Sequence, residues 1–188
     1  MATPTGRGGI AVIRISGPKS QAAARAVTGK APPPPRSARL ARLRDPATGE
    51  QLDDGLIISF PKPNSYTGED VVELHVHSGP AVVGGIIAAL GRMPGFRLAE
   101  PGEFTRRAFG SNKLDLTAAE AIADLVSAET EAQRRQALRQ LDGELGAVYE
   151  AWRRELISLL ARLEAFIDFP DEGLPSDIVS EMQRNLVN

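Results

Sequence analysis

The chain contains no cysteine in 188 residues. That excludes disulfides, thiolate metal sites and cysteine nucleophiles, and it fits a reducing compartment. Histidine is nearly as scarce, at two copies, so any metal site would have to recruit carboxylates. Charge of one sign is lacking too: 22 Lys and Arg stand against 24 Asp and Glu, a formal net charge of -2. No global basic footprint exists, so contact with nucleic acid would have to be local or weak. No apolar run is long enough to cross a bilayer, and the N-terminus lacks the charged start and hydrophobic core of a signal peptide. The expectation is a soluble cytoplasmic protein with no membrane partner. Its length accommodates one domain with a solid core, or one domain plus a helical extension.

What is present falls into two patterns. Through residue 113, short apolar runs alternate with turn residues. Gly9 to Ser16 reads as a strand ended by Gly17-Pro18, and an alanine-rich helix follows from about Lys19 to Val27. Pro32 to Pro35 reads as a stiff extended connector, because proline fixes φ and donates no hydrogen bond. Arg39 to Leu43 and Leu56 to Phe60 are predicted to pair around a turn at Asp45 to Gly49. Asp70 to His77 is a further strand, Gly79-Pro80 opens a helix, and Phe96 to Ala99 is predicted as another strand. The mixture is α+β.

From Thr117 the period becomes helical. Thr117 and Glu120 have capping-box spacing, and apolar positions recur at Ala118, Ile122, Leu125, Ala132, Leu138, Leu141 and Leu145. Gly143 and Gly146 mark a break, a second helix carries Trp152 and Leu156, and Pro170 stops it. A third begins near Ser176, with Ile178, Met182 and Leu186 on one face. Such amphipathic helices bury too little alone and need a partner surface, either more of a bundle or another copy.

Three side chains invite a functional reading. In the strand Asp70 to His77, Val72, Leu74 and Val76 share the core face, which puts Glu73, His75 and His77 on the other side. A solvated polar face accounts for them equally well. Arg14 interrupts an apolar strand, where a snorkelling edge charge is the usual explanation. Lys113 lies in the loop before the capped helix, an ordinary place for a surface charge. His75 and His77 have the spacing of same-face metal ligands, but a site would need carboxylates such as Glu73, and no metal is expected. Arg106 and Arg107 could touch an RNA backbone but read more simply as helix-surface charge, and Asp168, Asp171 and Glu172 could hold a metal but read more simply as a solvated acidic corner. Gly17-Pro18-Lys19-Ser20 is a decoy for a phosphate loop, with proline where glycine must precede lysine. No other stretch fits, so no nucleoside triphosphate site is expected.

One run is far more specific: Pro101-Gly-Glu-Phe-Thr-Arg-Arg-Ala-Phe-Gly-Ser-Asn-Lys-Leu-Asp-Leu-Thr117-Ala-Ala-Glu-Ala-Ile-Ala-Asp124. It closely resembles a signature of the MnmE (TrmE) family, the bacterial tRNA modification GTPases. Ala2-Thr3-Pro4-Thr5-Gly6-Arg7-Gly8-Gly9, Ser65-Tyr66-Thr67-Gly68-Glu69-Asp70 and Ile167-Asp168-Phe169-Pro170-Asp171-Glu172 agree in order and spacing. The resemblance spans essentially the whole chain.

The resemblance implies an α+β domain over 1–113 with an aminomethyltransferase-like, folate-binding and dimerising fold, then over 114–188 the first part of an all-α helical domain. It assigns Arg14, Glu73 and Lys113 to the binding of a tetrahydrofolate derivative, in the 5-formyl or 5,10-methylene form. A carboxylate suits the paired N–H donors of a pterin, and a guanidinium grips a carbonyl or carboxylate in parallel. No residue is implied as a catalyst. Implied partners are a second copy of the chain, the flavoprotein MnmG, and tRNA through that complex, which modifies the wobble uridine at position 5. GTP, magnesium and potassium are expected only in a GTPase domain that this chain does not hold. The short leading strand of the family is nearly absent, and an exposed sheet edge is expected there. Two alternatives are a purely structural dimerisation module and a stand-alone folate-dependent one-carbon transferase.

Overall fold

A computed structural model describes residues 8–168. The chain divides into two compact units, Met1–Leu114 and Asp115–Asn188. Pro170, the helix expected near Ser176, and Asp171 and Glu172 of the acidic corner lie outside the described residues.

The first unit is α+β. Its elements are β1 (Ala11–Ser16), α1 (Ser20–Thr28), β2 (Arg39–Arg44), β3 (Gln51–Phe60), β4 (Val71–Val76), α2 (Pro80–Gly91) and α3 (Glu103–Gly110). The strands form one antiparallel sheet in the order β1-β4-β3-β2. One sheet face carries Ile13, Ile15, Leu43, Ile57, Val72 and Leu74, all buried, against Ala23, Ala24 and Val27 of α1 and Ile86 and Leu90 of α2. The larger of these side chains each contribute about 1.5–3 kcal/mol by leaving water. Alternation then sends Arg14, Glu73, His75, Leu56 and Leu40 to the opposite face. There Leu40 is 71 % exposed and Leu56 41 %. Helices therefore cover one face of the sheet and leave the other for contacts or ligands.

The structure departs from the expected elements in several places. β3 begins at Gln51, and Gln51 to Ile57 pair with β2, so that of the expected Leu56 to Phe60 only Leu56 and Ile57 lie against it: Arg39 faces Ile57 and Arg42 faces Asp54. The second half pairs with β4. The acidic pair Asp53-Asp54 masked this strand, yet Arg42 Nε meets Asp54 Oδ1 at 3.0 Å across the ladder, and the glycine at 55 is demanded by a close neighbour. A Cβ there would lie 2.4 Å from the His75 carbonyl oxygen. Phe96 to Ala99 is irregular, not a strand. Arg97 is drawn to α3 instead, through two bonds to Glu103, while Phe96 packs against the core. The proline run ends in a turn in which Ser37 N–H donates to Pro34 O.

The second unit contains, among the described residues, α4 (Leu116–Ser127), α5 (Glu131–Leu141) and α6 (Glu144–Asp168). The expected single helix before Gly143 is split at Ala128 to Thr130, where Ala128 turns extended and Thr130 starts a capping box with Gln133. The cap of α4 also lies two residues earlier than expected. Asp115, not Thr117, accepts from the Ala118 N–H at 2.7 Å, and the Thr117 hydroxyl donates to the same carboxylate. A carboxylate next to the positive end of the helix outcompetes a hydroxyl. Gly143 closes α5 with φ of 91°, whereas Gly146 lies within α6. No helix of the described residues is long and apolar enough to cross a membrane.

Candidate functional site: a cross-strand charge pair under an aromatic ring

Arg14 and Glu73 are direct partners in the β1–β4 register. Gly17 N–H donates to Asp70 O at 2.9 Å, which makes the Gly17–Asp70 pair and every second pair beyond it hydrogen-bonded. Arg14–Glu73 therefore falls on a non-hydrogen-bonded pair, the kind whose side chains stand closest. Arg14 Nε donates to Glu73 Oε1 at 2.6 Å. The other carboxylate oxygen meets His75 Nε2 at 3.0 Å. Glu73 keeps only 13 % side-chain exposure against 37 % for Arg14, so the acid is largely covered and the base more open to solvent.

A loop closes over this pair. Tyr66 lies with its ring centroid 5.8 Å from Arg14 Cζ, within cation–π reach, an interaction of about 0.5–1 kcal/mol at an exposed site. Its hydroxyl shares a 3.0 Å hydrogen bond with Thr105 Oγ1 of α3. The next residue, Thr67, is fully buried, and its hydroxyl lies 2.7 Å from Ser16 Oγ on β1. Ser16 also donates to Glu69 Oε2 at 2.8 Å, and Arg107 Nη1 reaches the same oxygen at 2.8 Å. The tip of the loop is Gly68, with φ of 78°, a backbone region that glycine enters without strain. A Cβ there would lie 2.9 Å from Ser111 Cβ and 3.7 Å from Lys113 Cγ.

The loop rests on α3, and α3 is anchored by a buried carboxylate. Glu103 is 3 % exposed and accepts from Arg97, from Arg107 and from the Glu100 N–H. Hydrogen bonds from Arg97, then the Glu100 amide, then Arg107 hold its carboxyl far below the ordinary carboxylate range. The same contacts raise both guanidinium groups, Arg97 and Arg107, in turn. Arg107 is thus a structural strut between α3 and Glu69, not the surface charge expected from sequence; Arg106 is exposed, 3.1 Å from Glu100 Oε2.

Of the three predicted ligand residues, the fold brings Arg14 and Glu73 into contact. Lys113 is exposed and packs its stem by Gly68, two residues from Tyr66, with no hydrogen bond or ion pair to the other two among the described residues. A cavity of about 280 Å³ opens beside the β1 edge, lined by Arg14, Ser16, Lys19, Phe96, Leu98 and Arg107 among others. Arg14 is the member of the predicted trio that lines it. The two histidines do not converge: His75 turns to Glu73, while His77 Nδ1 meets Asp53 Oδ1 at 2.8 Å. Burial pushes the Asp53 carboxyl up, but hydrogen bonds from the His77 amide and ring outweigh it and leave the net shift downward. Among the described residues no group of three His, Asp or Glu is placed to hold a metal ion. Sequence reasoning missed Tyr66 and Thr105. Each lies in one of the signature runs, but nothing local indicates that a turn tyrosine meets a helix threonine 39 residues away.

Comparison with known proteins agrees with this architecture. The family described as GTP-binding protein TrmE N-terminus matches residues 1–113, and the MnmE helical domain matches residues 116–188. The tRNA modification GTPase MnmE of Parvibaculum lavamentivorans is 58% identical over 182 residues, covering 97% of this chain and 42% of its own length. MnmE of Paramagnetospirillum magneticum is 59% identical, covering 96% of this chain and 41% of its own length. The mitochondrial 5-taurinomethyluridine-[tRNA] synthase subunit GTPB3 of Rattus norvegicus is 55% identical, covering 96% and 37% respectively. The chain thus spans about two fifths of the length of these relatives. With both family matches in chain order and meeting near the boundary between its two compact units, the chain belongs to the MnmE (TrmE) family and corresponds to its N-terminal portion.

Proposed function

We propose that this chain is the folate-binding, dimer-forming part of a cytoplasmic tRNA modification GTPase that acts on the wobble uridine at position 5. Its relatives carry tRNA modification in their names, which supports the pathway. The folate reading, with its aminomethyltransferase-like fold, is carried by one observation: Arg14 and Glu73 meet side by side, with Arg14 in cation–π reach of Tyr66. The residues fit a pterin. Among the described residues each Glu73 oxygen has one protein partner and retains a second lone pair for a ring N–H and an amino group. Only Nε of Arg14 is engaged among the described residues, which leaves its terminal nitrogens for a carbonyl or carboxylate. Lys113, beside the same loop, is available for an anionic tail or a formyl oxygen. A bound tetrahydrofolate derivative would supply the one-carbon unit, while the chain binds and orients it. A second copy, the flavoprotein MnmG and tRNA are the partners in this reading. GTP, magnesium and potassium belong to the rest of the longer protein.

The competing reading is a structural dimerisation module. What favours it is that both Glu73 oxygens already have protein partners, so the pair is satisfied without a ligand. Isothermal titration with 5-formyltetrahydrofolate separates the two. Saturable heat from the unsubstituted chain, lost in Glu73→Gln with the dimer intact by light scattering, is the expected result. No heat from a folded, dimeric sample rejects the folate site.

A further inference from the structure

Among the described residues Arg14 is hydrogen-bonded to Glu73 through Nε alone, and a single hydrogen bond leaves the guanidinium plane free to swing about it. Tyr66 lies against this guanidinium, with its ring centroid 5.8 Å from Arg14 Cζ. The ring is itself held at both ends. Its hydroxyl is tied to Thr105 of α3, and its backbone neighbour Thr67 is buried against Ser16 of β1. The guanidinium therefore sits between a carboxylate fixed by β4 and an aromatic face fixed by α3.

We propose that Tyr66 is a positioning residue for Arg14: its ring sets the guanidinium plane so that the terminal nitrogens face a ligand lodged beside Glu73. This rests on the ligand reading above, but it makes a separate claim about the ligand-free protein. A tyrosine that only anchored its loop would be replaceable without disturbing Arg14. One that orients Arg14 restricts the motion of the arginine Nε–H, whereas a ring merely nearby shifts its resonance without restraining it.

The test joins two measurements on the full chain, the order parameter of the Arg14 Nε–H by NMR relaxation without ligand and titration with 5-formyltetrahydrofolate. Tyr66→Phe keeps the ring but unties it from Thr105, so it is expected to loosen the Nε–H less than loss of the ring does and to leave the affinity within about twofold. Tyr66→Leu removes the ring; the Nε–H should gain motion toward that of a free arginine, and affinity should fall roughly fivefold. Tyr66→Met, flexible and apolar, provides the same comparison if the leucine variant fails to fold. An Arg14 Nε–H no more mobile without the ring overturns the proposal, whether or not its resonance or the affinity changes. A gain of motion in a chain that binds no folate leaves the positioning intact and rejects the ligand reading alone.

Discussion

Glu73 lies opposite Arg14 at a non-hydrogen-bonded position of the β1–β4 ladder, with Nε 2.6 Å from Oε1, and His75 holds the second oxygen from the same strand. Loss of the charge is expected to matter little for stability and much for ligand. An opposite-charge cross-strand pair contributes about 0.2–1 kcal/mol, and exposure of Arg14 places this one at the lower end. Glu73→Gln should therefore shift the urea midpoint only slightly. A large shift would mean that the pair serves the fold instead.

Glu103 behaves differently because its carboxylate is enclosed. Its folded-state pKa is depressed by Arg97, the Glu100 amide and Arg107. The stability it contributes is complete above the ordinary carboxylate pKa and is lost as pH falls through the folded value. Glu103→Gln should lower the thermal midpoint at neutral pH and flatten its decline in acid. A variant as stable as the original at pH 7, with an unchanged acid limb, would remove Glu103 from its role as anchor of α3.

Gly55 is set by geometry, with open space denied by the His75 carbonyl oxygen 2.4 Å from where a Cβ would stand. Gly55→Ala should destabilise by about 1–3 kcal/mol, since backbone cannot yield as a side chain does. The comparison is Gly84→Ala in α2, where nothing lies within 4 Å and the helix gains from alanine. Equal effects in denaturant titration would contradict this packing.

Asp115→Ala should cost about 1 kcal/mol by removing the α4 cap, whereas Thr117→Ala should cost clearly less. Hydrogen bonds from the Ala118 amide and the Thr117 hydroxyl lower the Asp115 pKa, so the cap is at full strength above the ordinary aspartate range and fades as pH falls below it. Hydrogen exchange in the first turn of α4 reads this directly. Faster exchange in the threonine variant than in the aspartate variant would restore Thr117 as the cap.

Local pattern made β1, β4, α1 and α2 legible, because strict alternation or a helical stripe of Val, Ile, Leu and Ala reports burial directly. It failed where a charge or a small residue carried the structure. Asp53 and Asp54 concealed the start of β3, and the break between α4 and α5 hides in Ala128 to Thr130, which holds neither glycine nor proline. Phe96 to Ala99 has the composition of a strand, but no neighbouring strand offers it a ladder among the described residues.

Sequence alone determined the family, the α+β and helical halves, and the residue types at positions 14, 73 and 113, since signatures and periodicities are written in order along the chain. Tertiary structure decided which of those groups meet. Register placed Arg14 against Glu73, and a loop tied to α3 brought Tyr66 over the pair while Lys113 stayed at its side. The reason is physical: a side chain's type is a local property, but its distance to a partner depends on how strands 59 residues apart are paired.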